Sequence, residues 1–236
     1  FEIAHRNEPD AVVPITAADA ATYRRLGTTV PIHVAPVGLE TARVPDRSGE
    51  GERSTLVFLG ALDWRPNLEG VRWFLERVWP DVRRAVPGAR LLVGGSNPPA
   101  GVERSLSGES VTVVGRVPDA QTFFASGAAM VVPLLSGGGM RVKILEAMAV
   151  GVPIVSTRLG ATGIEARDGV EIRLADRPDA MAAACVELLS DPGRAVELGR
   201  AGRRCVLSRF DADDIARNLL GFLDALVASQ ASGRSE

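Results

Sequence analysis

The chain of 236 residues has only two cysteines and two histidines, carries no block of like charge, and lacks any long apolar run. Each shortage excludes something. Cys185 and Cys205 both fall on apolar stripes of expected helices, so they read as packed free thiols rather than a disulfide or a redox pair. That fits a reducing, cytoplasmic setting. His5 and His33 lie in the leading segment without metal-ligand spacing and read as surface or packed residues, so no metal site is expected. Lys plus Arg number 27 against 29 Asp plus Glu. Such a balance offers no basic face to nucleic acid, and any anionic ligand must be small. The longest apolar stretch, around Gly127 to Leu135, is far below the ~20 residues of a spanning helix, and no signal-peptide layout opens the chain. No GxxxxGK[ST] occurs, and no strand is followed by GxGxxG, which argues against a P-loop and a dinucleotide cofactor. The chain opens on Phe1 rather than Met, as a fragment of a longer protein would.

What is present is a globular composition, 46% hydrophobic and 24% charged, with enough chain for one large domain. After residue 50 short Val/Leu/Ile-rich runs alternate with segments of helical period, the rhythm of a parallel sheet covered on both faces. The strands expected are Thr55 to Leu59, Arg90 to Val93, Val111 to Val114, Met130 to Val132, Pro153 to Ser156 and Val170 to Leu174. Between them come helices from Asn67 to about Val86 (broken near Pro80), Gly101 to Ser107, Asp119 to Ala125 and Met140 to Ala149. Three helices follow residue 178, the last opening at Asp211 as N-cap with a stripe of Ile215, Leu219, Phe222, Leu223 and Leu226. The first forty residues give a strand at Val12 to Ile15, a helix at Ala17 to Leu26 and a strand at Ile32 to Val34. The domain reading is therefore a leading piece with linker over 1–50, an α/β unit with a Rossmann-like parallel six-stranded sheet over 51–228, and a disordered tail over 229–236, frayed from Ser229.

Open parallel sheets bind ligands beyond the carboxyl ends of their strands, which directs attention to the loops leaving them. After Met130 to Val132 the chain reads Pro133, Leu134, Leu135, Ser136, then Gly137, Gly138 and Gly139, and then a helix starting Met140, Arg141, Val142, Lys143. Three glycines bring bare N–H groups to a helix N-terminus, where anions bind. Arg141 and Lys143 in the first turn oppose the helix dipole, a cost an anionic ligand would offset. At ~100° per residue Lys143 and Glu146 share the polar face, whereas Arg141 lies over Leu145 and Met148 and points to the sheet edge. The alternative is a plain glycine turn with a Lys143–Glu146 ion pair. Asp211, Asp213 and Asp214 imitate a cation-binding Asp-x-Asp but open a helix, where capping explains them.

Two stretches now carry a resemblance: GGGMRVKILEAMAVGVPIVST from Gly137 and FLGALDWRPNLEGVRWFLERVWP from Phe58. They are similar to the C-terminal, donor-binding half of the retaining glycosyltransferases of GT-B fold, family 4. ITAADAATYRRLG and IHVAPVGLE resemble the end of that family's N-terminal domain, so most of the acceptor-binding domain is expected to be missing and this stretch alone to transfer no sugar. The resemblance implies a nucleotide-diphosphate-sugar donor (UDP-, GDP- or dTDP-linked), a saccharide, lipid or small-molecule acceptor, no cofactor and no metal. It also implies a cytoplasmic enzyme, peripheral to the inner face of the membrane if the missing domain docks there.

Residue by residue, Glu146 matches the family carboxylate that bonds the ribose, and the preceding carboxylate of the Glu-x7-Glu pattern falls at Gly138. Backbone groups of Gly138 to Met140 are left to serve in its stead. The first loop, from Gly60, has Ala61 where an Arg is expected and no Lys, which leaves Arg141 and Lys143 as the catalytic cations, with Arg65 a further candidate. Arg116 and Val117 match the base-holding loop, where Arg116 stacks on the base or phosphates or is a plain surface Arg, and Gly94 and Gly95 either keep the neighbouring edge open to ligand or make a tight turn. Trp64 reads as core or as an acceptor-side platform, with core favoured. Gly160 to Glu165 is a segment able to close over the site. Two other functions stay open: a sugar-nucleotide epimerase of the same fold, which needs a cleft histidine this segment does not offer, and a non-catalytic nucleotide-sugar-binding subunit.

Overall fold

The computed structural model describes residues 4–233, which fall into two compact units, one of the residues up to Arg43 together with those from Arg209, the other Val44–Ser208. In chain order the elements are α1 (Ala17–Arg25), β1 (Glu52–Leu59), α2 (Arg65–Arg77), α3 (Trp79–Ala85), β2 (Arg90–Gly94), α4 (Val102–Leu106), β3 (Val111–Gly115), α5 (Ala120–Ala125), β4 (Gly127–Val132), α6 (Val142–Ala149), β5 (Ile154–Ser156), β6 (Arg173–Leu174), α7 (Pro178–Ser190), α8 (Pro192–Arg209) and α9 (Ala212–Gly233).

In the larger unit six strands form one parallel sheet in the order β3-β2-β1-β4-β5-β6, the Rossmann-like α/β architecture that the alternating rhythm implies. The strands read as apolar runs because both faces are covered. On one face Leu56, Phe58, Leu91, Val93 and Val131 pack against Phe74 of α2, Val82 of α3 and Val78 between them, and against Cys185 and Leu188 of α7. On the other, α5 and α6 lie on β1, β4 and β5, with Ile144, Leu145 and Met148 fully buried. The break between α2 and α3 falls at Val78, where Pro80 lies in the first turn of the new helix and its missing N–H costs nothing. The last strand is shorter than expected. Only Arg173 and Leu174 pair with β5, because Gly169, at φ +73°, turns the chain and donates to Ile172 O (2.8 Å). Cys185 and Cys205 are buried thiols, and burial pushes the Cys185 thiol far above its usual range. Among the described residues no helix is long and apolar enough to cross a membrane.

In the smaller unit Thr16 caps α1 by accepting from Asp19 N (3.0 Å). The two strands expected there shrink to one parallel bridge, Val12 to Ile32, because Pro14 and Pro31 have no N–H to extend the ladder. His33 is a packing residue, stacked on Phe222 with ring centroids 4.7 Å apart. α9 groups with this leading piece rather than with the sheet unit to which the sequence assigned it. Ile215, Leu219, Phe222 and Leu226 are half-buried, whereas Leu223, expected in the same stripe, is exposed. The helix continues to Gly233, so the segment expected to fray is helical over 229–233. Residues 234–236 lie outside the described residues.

Asp211 caps α9, accepting from the N–H groups of Asp213 and Asp214 (both 3.1 Å). The Thr41 hydroxyl, then the N–H groups of Asp214 and Asp213, hold its carboxyl below the ordinary 3.8. A folded value below the unfolded one stabilises fully above 3.8, and the benefit is lost as pH falls through the folded value. The difference in thermal midpoint between the unaltered chain and Asp211→Ala is therefore expected at neutral pH and to narrow below pH 3.8. A difference independent of pH would contradict a charged cap.

Candidate functional site

A doubly wound sheet leaves a crevice at the carboxyl ends of the two strands where the chain order reverses. Here the chain winds from β1 through β2 to β3 and returns to β4 on the other side of β1, so the crevice lies between the loops that leave β1 and β4. A cavity of about 260 Å³ opens there, walled by Phe58, Leu59, Met130, Val132, Leu134 and Ile144 and carrying Gly60, Trp64, Asn67, Met140, Arg141 and Lys143. No Asp or Glu is among its lining residues. A smaller cavity of about 120 Å³ lies at the opposite, amino ends of the strands, around Gly51, Gly127 and Pro153, away from these loops.

The loops are held by close backbone contacts. Gly60 N donates to Gly94 O (3.0 Å) and Leu62 N to Ser96 O (3.0 Å), and a Cβ on Gly95 would stand 2.2 Å from Gly60 O. Asn67 Nδ2 donates to Ala61 O (2.9 Å), clasping the β1 loop from the first turn of α2, a role the sequence reading did not assign. On the β4 side, Thr157 Oγ1 donates to Leu134 O (2.6 Å) and accepts from Gly160 N (2.9 Å). The segment from Gly160 is thereby bound down, with Ile164 fully buried, and is not set to close over the site.

Arg141 dominates the electrostatics. Its Cζ stands 4.6 Å from the centroid of the Trp64 ring, a cation–π contact. Nε and one Nη are buried without a hydrogen-bond partner. Burial lowers the guanidinium pKa from its ordinary value: a charged fork is desolvated and unpaired, a cost that an anion in the cavity would recover. Trp64 is 37% exposed, so it is a platform for the guanidinium rather than core. Arg141 takes the N-cap position with ψ 90°, and α6 begins at Val142. Met140 and Arg141 thus precede the helix instead of forming its first turn. Gly137 and Gly139 hold φ of +98° and +84°, and the chain bends at Ser136 and Gly139 before it reaches the helix.

The structure gathers Gly60, Met140, Arg141 and Lys143 around one cavity, with Gly137 against Arg141 and Trp64 and Gly138 and Gly139 exposed beside it. Glu146 is half-buried one turn along α6, outside the lining, and among the described residues no ion pair joins it to Lys143. Other expected residues lie elsewhere. Arg65 is turned to the surface and paired with Glu69, Nε to Oε1 2.6 Å. The space over Gly94 is filled, since a Cβ there would be 2.7 Å from Val117 and 2.9 Å from Leu59; neither Gly94 nor Gly95 keeps that edge open. Arg116 and Val117 border a separate shallow depression with Pro118 and Phe123.

Comparison with known proteins gives a consistent result. The family model "Glycosyl transferases group 1" matches residues 53–191. The GDP-mannose-dependent alpha-(1-6)-phosphatidylinositol monomannoside mannosyltransferase of Mycobacterium tuberculosis is 29% identical over 225 residues, covering 84% of this chain and 57% of that protein. Its Mycolicibacterium smegmatis counterpart is 26% identical over 230 residues, covering 86% and 59%. The chain therefore spans less than two thirds of these relatives. Among solved structures, sucrose-phosphate synthase from Thermosynechococcus elongatus aligns with TM-score 0.77 at 22% identity, covering 97% of this chain and 61% of that one. Anabaena HepE in complex with UDP and glucose aligns with TM-score 0.74 at 14% identity, covering 94% and 65%. At these identities the structural likenesses show the fold.

Proposed function

The chain belongs to the group 1 glycosyl transferases, and from that premise we propose that it is the donor-binding part of a retaining, metal-independent glycosyltransferase. In this reading a nucleotide-diphosphate sugar spans the crevice between the β1 and β4 loops. The observation that carries it is Arg141: a half-buried side chain whose Nε and one Nη are buried without a hydrogen-bond partner, at the switch point of the sheet, in a cavity lined by two cations and no carboxylate. That lining attracts a diphosphate and offers a divalent cation no carboxylate. Departure of the nucleoside diphosphate builds negative charge, which Arg141, Lys143 and the N–H groups ahead of α6 are positioned to stabilise. Glu146, one turn along the helix, bonds the ribose hydroxyls. Transfer requires the remainder of the protein to hold the acceptor, and the reaction takes place in the cytoplasm.

A thermal-shift panel of UDP-, GDP-, ADP- and dTDP-sugars tests the reading, since a ligand that binds only the folded chain raises the midpoint by mass action. One base is expected to shift it and the others not. With that nucleotide, Glu146→Ala is expected to weaken binding about tenfold or more in calorimetry, the loss of a charge-assisted hydrogen bond. No shift with any sugar nucleotide would overturn the donor site, and unchanged affinity in Glu146→Ala would remove the ribose contact from it.

A further inference from the structure

Arg141 shares its unusual situation with an arginine at the other end of the sheet. Arg47 has a buried Nε without a hydrogen-bond partner, and it stands in the wall of the cavity of about 120 Å³ at the amino ends of the strands. Its Nη1 lies 3.5 Å from Glu50 Oε2, but Glu50 is exposed and outside the lining, so this long surface pair contributes little and leaves Nε unpaired. Arg83 and Arg173 carry the same orphaned Nε, yet Arg173 is paired with Glu187 (2.9 Å) and neither lines this cavity. What sets Arg47 apart is the company it keeps. A second guanidinium, Arg53 at the start of β1, joins it in the lining, and no Asp or Glu does.

The rest of the wall is mainly apolar, with Pro153, Leu188, Ala195 and Val196 prominent in it. It is shaped by the fold itself, since a Cβ on Gly51 would collide with the carbonyl of Gly127 where β1 and β4 begin. Two cations without a counter-charge beside apolar surface define what fits: an anion that carries hydrocarbon. A carboxylate matches the guanidinium fork, whereas inorganic phosphate would set its remaining oxygens against side chains that cannot hydrogen-bond. An apolar cavity of ~150 Å³ holds benzene, so the volume here suits a body of about five or six carbons. We propose that this amino-end cavity is a second binding site, for a small monocarboxylate with such an apolar body, separate from the crevice and independent of the donor reading.

Benzoate is the probe. Benzyl alcohol, with the ring but no charge, and inorganic phosphate, with charge but no ring, are the comparisons, each titrated into the 236-residue chain and followed by the backbone amide signals. Benzoate is expected to move the signals of Gly51, Gly127 and Ala128 in a saturable way and to bind at least about tenfold more tightly than either comparison. Arg47→Gln and Arg53→Gln are each expected to weaken it about tenfold, the loss of a charge-assisted contact; Arg53 is exposed, so its replacement leaves the fold intact. Benzyl alcohol binding as tightly as benzoate overturns the proposal, and phosphate doing so reduces the site to an adventitious ion only. Signals moving at Gly60 and Gly139 instead, which would place benzoate in the crevice, also overturn it, as do unchanged affinity in both variants and absence of binding.

Discussion

Arg141→Ala is expected to weaken binding of the cognate nucleoside diphosphate by roughly 10- to 100-fold, about 1.5–3 kcal/mol for a lost charge-assisted contact, while the free variant melts no lower than the unaltered chain. The two halves of that outcome have one cause. In the unliganded chain Nε and one Nη of Arg141 are buried without hydrogen-bond partners, so removing them relieves a desolvation cost that offsets the lost contact with Trp64. An anion reverses the balance by pairing with donors already stripped of water. Arg141→Lys is expected to restore binding only in part, since an ammonium neither stacks flat on the indole nor presents a fork to phosphate oxygens. Calorimetry beside thermal unfolding checks both halves. Retained affinity in Arg141→Ala would refute the assignment of this cavity to the diphosphate.

The second large effect is on stability. Phe74→Ala should cost about 3–5 kcal/mol, the usual range for emptying a well-packed aromatic site. Phe74 is 1% exposed, sits 6.1 Å from Trp79 between ring centroids, and seals α2 and α3 onto the sheet. Because α2 starts directly after Trp64, the variant should also loosen the platform under Arg141. Urea unfolding of variant and parent decides the matter, and a loss below about 1 kcal/mol would mean that α2 is not clamped to the sheet as described.

Much of this architecture was legible in the chain, for a physical reason. Strands covered on both faces show as unbroken apolar runs such as Val57, Phe58 and Leu59, and the helices between them repeat at helical spacing, so sheet type and element order emerge from local pattern alone. The glycine corner was legible too, because a helix N-terminus with bare backbone ahead of it is a local feature. What escaped depends on contacts distant in sequence. Trp64 looks like core by residue type, and only the approach of Arg141 from the β4 loop makes an exposed indole useful. Gly94 suggests an open edge until Val117 and Leu59 are found filling it. Arg65 is a free cation by composition, yet Glu69 one turn on claims it, an i,i+4 pair that the spacing could have revealed. The partnership of α9 with the leading residues has no local signature at all.

The anchoring of the β4 exit has a consequence for ligand exchange. Leu134 is tied to Thr157, and a Cβ on Gly70 of α2 would stand 2.5 Å from Pro133 O, so the backbone is clamped just before the glycine run, while Ile144 and Leu145 seat α6 just after it. If the donor binds as proposed, only a short tether between two fixed posts is left to settle around an incoming nucleotide. At about 1–2 kcal/mol of backbone entropy per residue ordered, the toll on affinity is confined to a handful of positions. Capture and release then call for the rearrangement of a few peptide units rather than the refolding of a long flap.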